Sequence, residues 1–258
     1  MERLWDSILL GLIQGLTEFL PISSSGHLAL GQELLGWSDP AENLAFAVAV
    51  HVGSLGAVLV FVRREICAMF TTKPRLLAIL IVATLPLVVL VPLGIKDLVE
   101  ELSTNLLAVG GFLLCTGFIL ALAQRLRDGD GASAELSWPR AILVGLAQVF
   151  AIMPGISRSG ATLVAGLGVG LRREEAVRFA FLLAAPAIAG AGVLMVLSDD
   201  WGDGPGLGAT LVGMVVSFFA SLLAMKVMVG VVVRKRLGWF ALYCAMVGLF
   251  SIGLEVIR

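Results

Sequence analysis

Gly11–Gly26 reads GLIQGLTEFLPISSSG, and Gly145–Gly160, GLAQVFAIMPGISRSG, aligns to it without a gap. Identities fall at Gly11 with Gly145, Leu12 with Leu146, Gln14 with Gln148, Ile22 with Ile156, Ser23 with Ser157, Ser25 with Ser159 and Gly26 with Gly160. Phe46 and Phe181 follow at almost the same offset. The matches gather at two polar breaks, PISSSGH over Pro21–His27 and MPGISRSGAT over Met153–Thr162, so the chain contains an internal repeat. Each break interrupts an apolar run and is followed by a shorter, mildly apolar segment. Non-helical backbone at membrane depth survives only where protein or a water-filled cavity satisfies its polar groups.

The rest of the chain makes membrane depth the right setting. Of 258 residues, 59% are hydrophobic and 14% charged, with mean hydropathy +0.99, outside the balance of a soluble domain. Apolar runs cover roughly 4–20, 44–62, 76–95, 106–123, 141–153, 176–197, 207–233 and 237–257. A spanning helix needs about 20 such residues, so one polytopic, all-α membrane domain with short loops fills the length and leaves no separate soluble domain. The formal net charge of −1 carries no electrostatic argument for nucleic acid, and no such partner is expected. Cys67, Cys115 and Cys244 are scattered singly in apolar surroundings, as packing residues are. Glu2, Arg3 and Asp6 precede the first run and Glu18 lies within it, so a cleaved signal peptide is not expected.

Each half reads as a re-entrant, broken hairpin that enters and leaves on one side, followed by three full crossings, with the first repeat over about residues 1–124 and the second over about 138–258. An odd number of crossings turns the second half upside down. The expected architecture is therefore an inverted-topology repeat, whose sites form near the midplane from discontinuous helices. The basic residues alternate accordingly. Arg63, Arg64, Lys73 and Arg75 share one loop, Arg125, Arg127, Arg140, Arg172, Arg173 and Arg178 flank the second hairpin, and Arg234, Lys235 and Arg236 form a third group. The opposite loops are acidic, with Glu33, Asp39, Glu42, Asp97, Glu100, Glu101, Asp199, Asp200 and Asp203. The positive-inside bias then puts both termini outside the cell.

Glu18, Arg158 and Lys226 are the notable charges inside the apolar layer. An ionisable group at a helix centre costs on the order of 2.5 kcal/mol or more, which makes it a functional candidate. Lys226, near a helix end, is expected to snorkel. Gln14 and Glu18, four residues apart, share one helix face leading to the first break, where Ser23, Ser24, Ser25 and His27 follow. Hydroxyl with imidazole makes a nucleophile and its base, with His27 the nearest base to Ser24; carboxylate with hydroxyl, Glu18 foremost, could equally hold a divalent cation. The second break offers Ser157, Arg158, Ser159 and Thr162 after Pro154 and Gly155, an oxyanion cradle of arginine fork, small residues and a following helix start. His51, mid-run in AFAVAVHVGSLG, is expected to be a satisfied packing residue in a wholly buried helix, and Pro86 and Pro186 to be kinks.

GLIQGLTEFLPISSSGH together with MPGISRSGAT resembles the undecaprenyl-diphosphate phosphatase family, the one tied to bacitracin resistance. The resemblance covers the whole length and layout. It implies removal of the terminal phosphate from undecaprenyl diphosphate on the outer face of the bacterial cytoplasmic (inner) membrane, returning the monophosphate carrier lipid to peptidoglycan synthesis. It further implies a divalent cation, Mg2+ or Ca2+, and a homodimer. Carried over by motif, Gln14 and Glu18 stand at the family's acidic pair, Ser24 and His27 at its nucleophile and acid/base positions, and Ser157, Arg158 and Thr162 in its phosphate loop. Gln14 departs from the glutamate that many members have there, and a neutral amide can ligate a cation but cannot act as a base. The rival class is a secondary transporter or lipid flippase for an anionic lipid, since broken inverted repeats are a common carrier plan. Hydroxyl, imidazole, carboxylate and arginine together exceed what anion binding alone requires.

Overall fold

The computed structural model describes residues 2–90, 99, 102, 105–197 and 205–257. Eleven α-helices are present among them: α1 Glu2–Phe19, α2 Ser24–Leu34, α3 Pro40–Phe61, α4 Arg63–Thr71, α5 Pro74–Leu90, α6 Leu106–Arg125, α7 Trp138–Phe150, α8 Arg158–Gly168, α9 Arg173–Val196, α10 Leu207–Val233 and α11 Gly238–Ile257. Five contain spans long and apolar enough to cross a membrane, namely Glu42–Phe61, Leu106–Arg125, Arg173–Leu194, Leu207–Val233 and Gly238–Val256. Together with an apolar surface that includes Phe118, Phe219, Leu249 and Phe250, they make this a multi-pass membrane protein. The acidic residues expected over 97–101 and 199–203, and the end of the 76–95 run, lie outside the described residues.

Both polar breaks interrupt a helix where the repeat predicted. α1 stops at Phe19 and α2 begins at Ser24; α7 stops at Phe150 and α8 begins at Arg158. α2 and α8 each run 11 residues and begin at aligned positions of the repeat. Ser23 turns the first break with φ +70°, a left-handed conformation sparsely occupied by residues with a Cβ. Gly155 turns the second with φ +100°, and a Cβ there would stand 2.5 Å from the Val109 carbonyl oxygen of α6, so only glycine lets this loop lie against α6.

The hairpins are wedged between long helices. α1 packs along α10, α7 along α5, and α6 along α11. Close approach of α1 to α10 depends on small residues: a Cβ on Gly11 would sit 2.5 Å from the Gly213 carbonyl oxygen, the device by which membrane helices gain van der Waals contact. Across α3 and α10, fully buried hydroxyls form a chain in which Ser221 Oγ donates to Ser54 Oγ at 3.1 Å and Ser54 and Ser217 Oγ lie 3.0 Å apart. Phe19, Phe61 and Phe181 pack edge to face where α1, α3 and α9 meet.

The three basic groups meet at one end of the bundle. Arg178 pairs with Glu65, Arg173 Nε and Lys235 Nζ each lie 2.6 Å from an Asp128 oxygen, and Arg75 donates to the Leu136 carbonyl at 3.2 Å. Ser133 holds the connection between the halves to Glu175 through its backbone N–H at 2.9 Å and its hydroxyl at 2.7 Å. Arg63 and Arg64 depart from the expected loop: they open the short helix α4, which meets α5 at 113°. α3 is also not wholly buried, since Val52, Leu59 and Val60 are exposed along one face.

Candidate active site

The two breaks face each other across a cavity of about 80 Å³ lined by Thr17, Glu18, Ser23–Ser25, Ala151, Ile156, Ser157 and Arg158. The first break is held by direct contacts from the second and from α11. Ser159 Oγ donates to the Leu20 carbonyl at 3.0 Å, Cys244 Sγ reaches the Pro21 carbonyl at 3.5 Å, and a Cβ on Gly160 would lie 3.2 Å from Pro21 Cβ. Residues 140 positions apart in sequence thus share one polar chamber inside an apolar bundle.

Glu18 is its centre. Its side chain is 6% exposed, and its carboxylate is fully engaged: Arg158 Nη2 donates to Oε1, while Ser24 Oγ at 2.6 Å and Gln14 Nε2 at 3.0 Å donate to Oε2. The helical spacing of Gln14 and Glu18 produces the last contact directly, one turn apart on α1. Arg158 is anchored a second time through Nη1, which donates to the Ala184 carbonyl at 3.1 Å. Two of its N–H groups are thereby committed, leaving the remainder of a five-donor fork for an anion.

The second loop is held rigid around that fork. Ser157 caps α8 by accepting from the Gly160 N–H at 3.2 Å, and its own N–H donates to Thr116 Oγ1 at 3.2 Å. Thr116 in turn donates to the Gly155 carbonyl at 2.9 Å. The start of α8 then directs its positive end into the chamber. Six of the residues singled out from sequence line the cavity: Glu18, Ser23, Ser24, Ser25, Ser157 and Arg158. Gln14, Ser159 and Thr162 stand behind it. Thr162 Oγ1 donates to the Arg158 carbonyl at 2.8 Å, so it braces the first turn of α8 instead of facing the cavity.

His27 takes a different place from the one expected of a base for Ser24. Nδ1–H donates to the Ser23 carbonyl at 2.7 Å, a partner that can only accept, so Nε2 accepts from the Tyr243 hydroxyl at 2.7 Å. Both ring nitrogens are engaged away from Ser24, whose hydroxyl meets Glu18 instead. Ser24 and His27, three apart, share a helix face, but the Ser23 carbonyl one turn back and the Tyr243 hydroxyl hold the imidazole away from the Ser24 hydroxyl. Tyr243, the chain's one tyrosine, was not anticipated; its phenol in the last apolar run was the available signal. His51 was expected to be packing, yet its Nε2 lies 3.8 Å from Glu18 Oε2, brought there by the contact of α3 with α1. Lys226 is exposed on α10. Among the described residues, no three of His, Cys, Asp and Glu gather as a metal-binding group.

The chain is similar to known proteins over nearly its whole length. The family model described as bacitracin resistance protein BacA matches residues 7–250. A protein of Desulforapulum autotrophicum named undecaprenyl-diphosphatase is 39% identical, over 97% of this chain and 98% of its own length. One of the same name from Rhodopirellula baltica is 38% identical over 99% of this chain and all of its own length. A third, from a Nocardioides species, is 40% identical over 94% and 93%. Near-complete coverage in both directions means that both polar breaks, and the helices that carry them, fall within the match. The chain therefore belongs to the bacitracin resistance protein BacA family.

Proposed function

We propose that the chain hydrolyses undecaprenyl diphosphate to undecaprenyl phosphate and inorganic phosphate, with Ser24 as nucleophile and Glu18 as its base. The observation that carries this reading is the 2.6 Å hydrogen bond from Ser24 Oγ to Glu18 Oε2, with Arg158 on the opposite carboxylate oxygen. Glu18 takes the Ser24 proton as Oγ attacks the terminal phosphorus. The bond from that phosphorus to the bridging oxygen breaks, and the lipid monophosphate leaves. Arg158 and the start of α8 stabilise the charge on the transferred phosphoryl group, which a low-dielectric chamber strengthens. Water then cleaves the phosphoseryl group, restoring Ser24 and releasing phosphate. His27 and Tyr243 orient the Ser23–Ser24 turn through the Ser23 carbonyl. A carrier or flippase would need an anion site but not a hydroxyl hydrogen-bonded to a buried carboxylate.

Phosphate release from undecaprenyl diphosphate in detergent, where no gradient exists, tests the activity. Acid quench after a single turnover with substrate labelled in its terminal phosphate tests the route: label should stay on the wild-type protein and be absent from Ser24→Ala. Loss limited to the 10²- to 10³-fold typical of one oxyanion donor, with no trapped label, would replace the covalent route by direct water attack.

The donor set does not suit a resident divalent cation. Among the described residues, Glu18 is the one carboxylate lining the cavity, and both its oxygens are engaged. Gln14 Oε1 is buried without a partner, but it stands behind Glu18. No step is routed through a metal, and we assign any Mg2+ or Ca2+ requirement to the diphosphate, whose hard oxygens bind such ions directly. Equilibrium dialysis with 45Ca2+ should detect binding only when the lipid diphosphate is present.

The two halves exchange packing, α1 on α10 and α7 on α5, and we read them as related by inversion across the membrane on the alternation of basic and acidic loops. The basic end of the bundle would face the cytoplasm of a bacterial inner membrane and both termini the outside. Single cysteines at positions 200 and 235 should then label from opposite sides of intact cells. The homodimer implied by the resemblance is tested by native mass spectrometry of the purified protein.

A further inference from the structure

Glu18 cannot keep the Ser24 proton without weakening its hold on Arg158, because a neutral carboxyl no longer balances the guanidinium beside it. A second acceptor next to Glu18 removes that conflict. Among the described residues, two imidazoles stand close to the chamber, and they differ in what is free. His27 has both ring nitrogens engaged, by the Ser23 carbonyl and the Tyr243 hydroxyl. His51 has one engaged: Nδ1–H donates to the Ala47 carbonyl at 2.7 Å, one turn back on α3. That bond fixes the neutral tautomer, in which Nε2 presents a lone pair. Nε2 lies 3.8 Å from Glu18 Oε2, the same oxygen that receives the Ser24 hydroxyl. The separation exceeds a direct hydrogen bond and is of the kind a water bridges. The His51 side chain is 26% exposed.

We propose that His51 relays the proton of the attacking serine, receiving it from Glu18 across a bridging water so that Glu18 stays ionised and paired with Arg158. This rests on the reading of Ser24 and Glu18 as nucleophile and base. In the first step the Ser24 O–H bond breaks, Oγ bonds to the terminal phosphorus, and the phosphorus bond to the bridging oxygen breaks. The serine proton passes from Glu18 Oε2 through water to His51 Nε2, and is released from there to solvent as the lipid monophosphate departs. In the second step water oxygen bonds to phosphorus as the bond from Ser24 Oγ to phosphorus breaks. One of its hydrogens remains on the released phosphate and the other returns to Ser24 Oγ by way of Glu18. His51 touches neither the serine nor the phosphoryl group, so it acts through Glu18. Gln14, one turn before Glu18 on α1, can hold the carboxylate through its amide N–H but cannot accept a proton, which leaves this task to α3.

The test uses full-length protein in detergent with undecaprenyl diphosphate, comparing wild type, Ser24→Ala, His51→Gln and His51→Ala. Both His51 variants should retain the wild-type thermal midpoint within about 2 °C and KM within about twofold, while kcat falls roughly 10²-fold, the lower part of the range for proton-transfer groups. Imidazole at tens of millimolar should restore His51→Ala by about fivefold or more and leave wild type and Ser24→Ala unchanged. A merely structural histidine would lower the midpoint or raise KM, and would not be rescued. Near-wild-type kcat in His51→Gln, or no rescue of a folded His51→Ala, overturns the relay while leaving the Ser24 mechanism standing. Full activity in Ser24→Ala would instead overturn the mechanism on which the relay rests.

Discussion

Replacing Arg158 by lysine separates charge from geometry. The guanidinium, 18% exposed, spans two acceptors on different helices, Glu18 of α1 and the Ala184 carbonyl of α9 at 3.1 Å, and still turns N–H groups toward the cavity. A lysine ammonium is a point donor on a flexible stem; it can stay with Glu18 but cannot also reach Ala184 and grip two phosphate oxygens. The loss is at least one charge-assisted hydrogen bond in the transition state, about 1.5–3 kcal/mol, which at 1.36 kcal/mol per tenfold gives a decrease in kcat/KM of roughly 10- to 150-fold. Folding should survive, because Glu18 keeps a cation. Arg158→Ala would instead leave a buried carboxylate unpaired, a penalty of about 3–5 kcal/mol, and should lower the thermal midpoint as well. The assay is initial-rate phosphate release in detergent, with the midpoint of each variant measured in the same buffer. A folded Arg158→Lys enzyme within threefold of wild type would refute the argument that the fork, and not the charge, does the recognition.

Tyr243→Phe removes the O–H that His27 Nε2 accepts, a neutral hydrogen bond of about 0.5–1.5 kcal/mol. Turnover should fall roughly 2- to 13-fold by the same conversion, and a loss as large as that of Ser24→Ala would show that the phenol does more than hold His27. Lys226→Met, on an exposed stretch of α10, should leave kcat and KM unchanged in the phosphate-release assay. Asp128 is held below the usual carboxylate range by its hydrogen bond with Lys235 and then by that with Arg173. A lowered carboxyl contributes stability above its unfolded pKa, near 3.8, and loses it as pH falls through the folded value. The thermal midpoint of Asp128→Asn should therefore lie below that of wild type at neutral pH, with the gap closing in strong acid and shrinking with added salt.

Most of the fold was legible because a bilayer imposes few options. Apolar runs of spanning length can only be helices, and the two aligned breaks could survive at that depth only by burying each other. The repeat even set where α2 and α8 begin, and the four-residue step from Gln14 to Glu18 predicted their hydrogen bond. Local sequence also brought Ser24 and Arg158 into the list of residues that carry chemistry. It could not say which of them meet. Pairing Arg158 with Glu18 closes a separation of 140 residues, a consequence of how α1, α8 and α9 pack. The same holds for His27: nearness along the chain suggested that it serves Ser24, whereas the start of α2 turns its ring toward Tyr243 of α11. Nothing in AFAVAVHVGSLG distinguishes a packing histidine from one aimed at a carboxylate, because that difference depends on the rotation of α3 against α1. Helix existence, breaks and chemical inventory follow from local patterns of polarity; the direction in which each polar group points is decided by interhelical contacts, which the one-dimensional pattern does not encode.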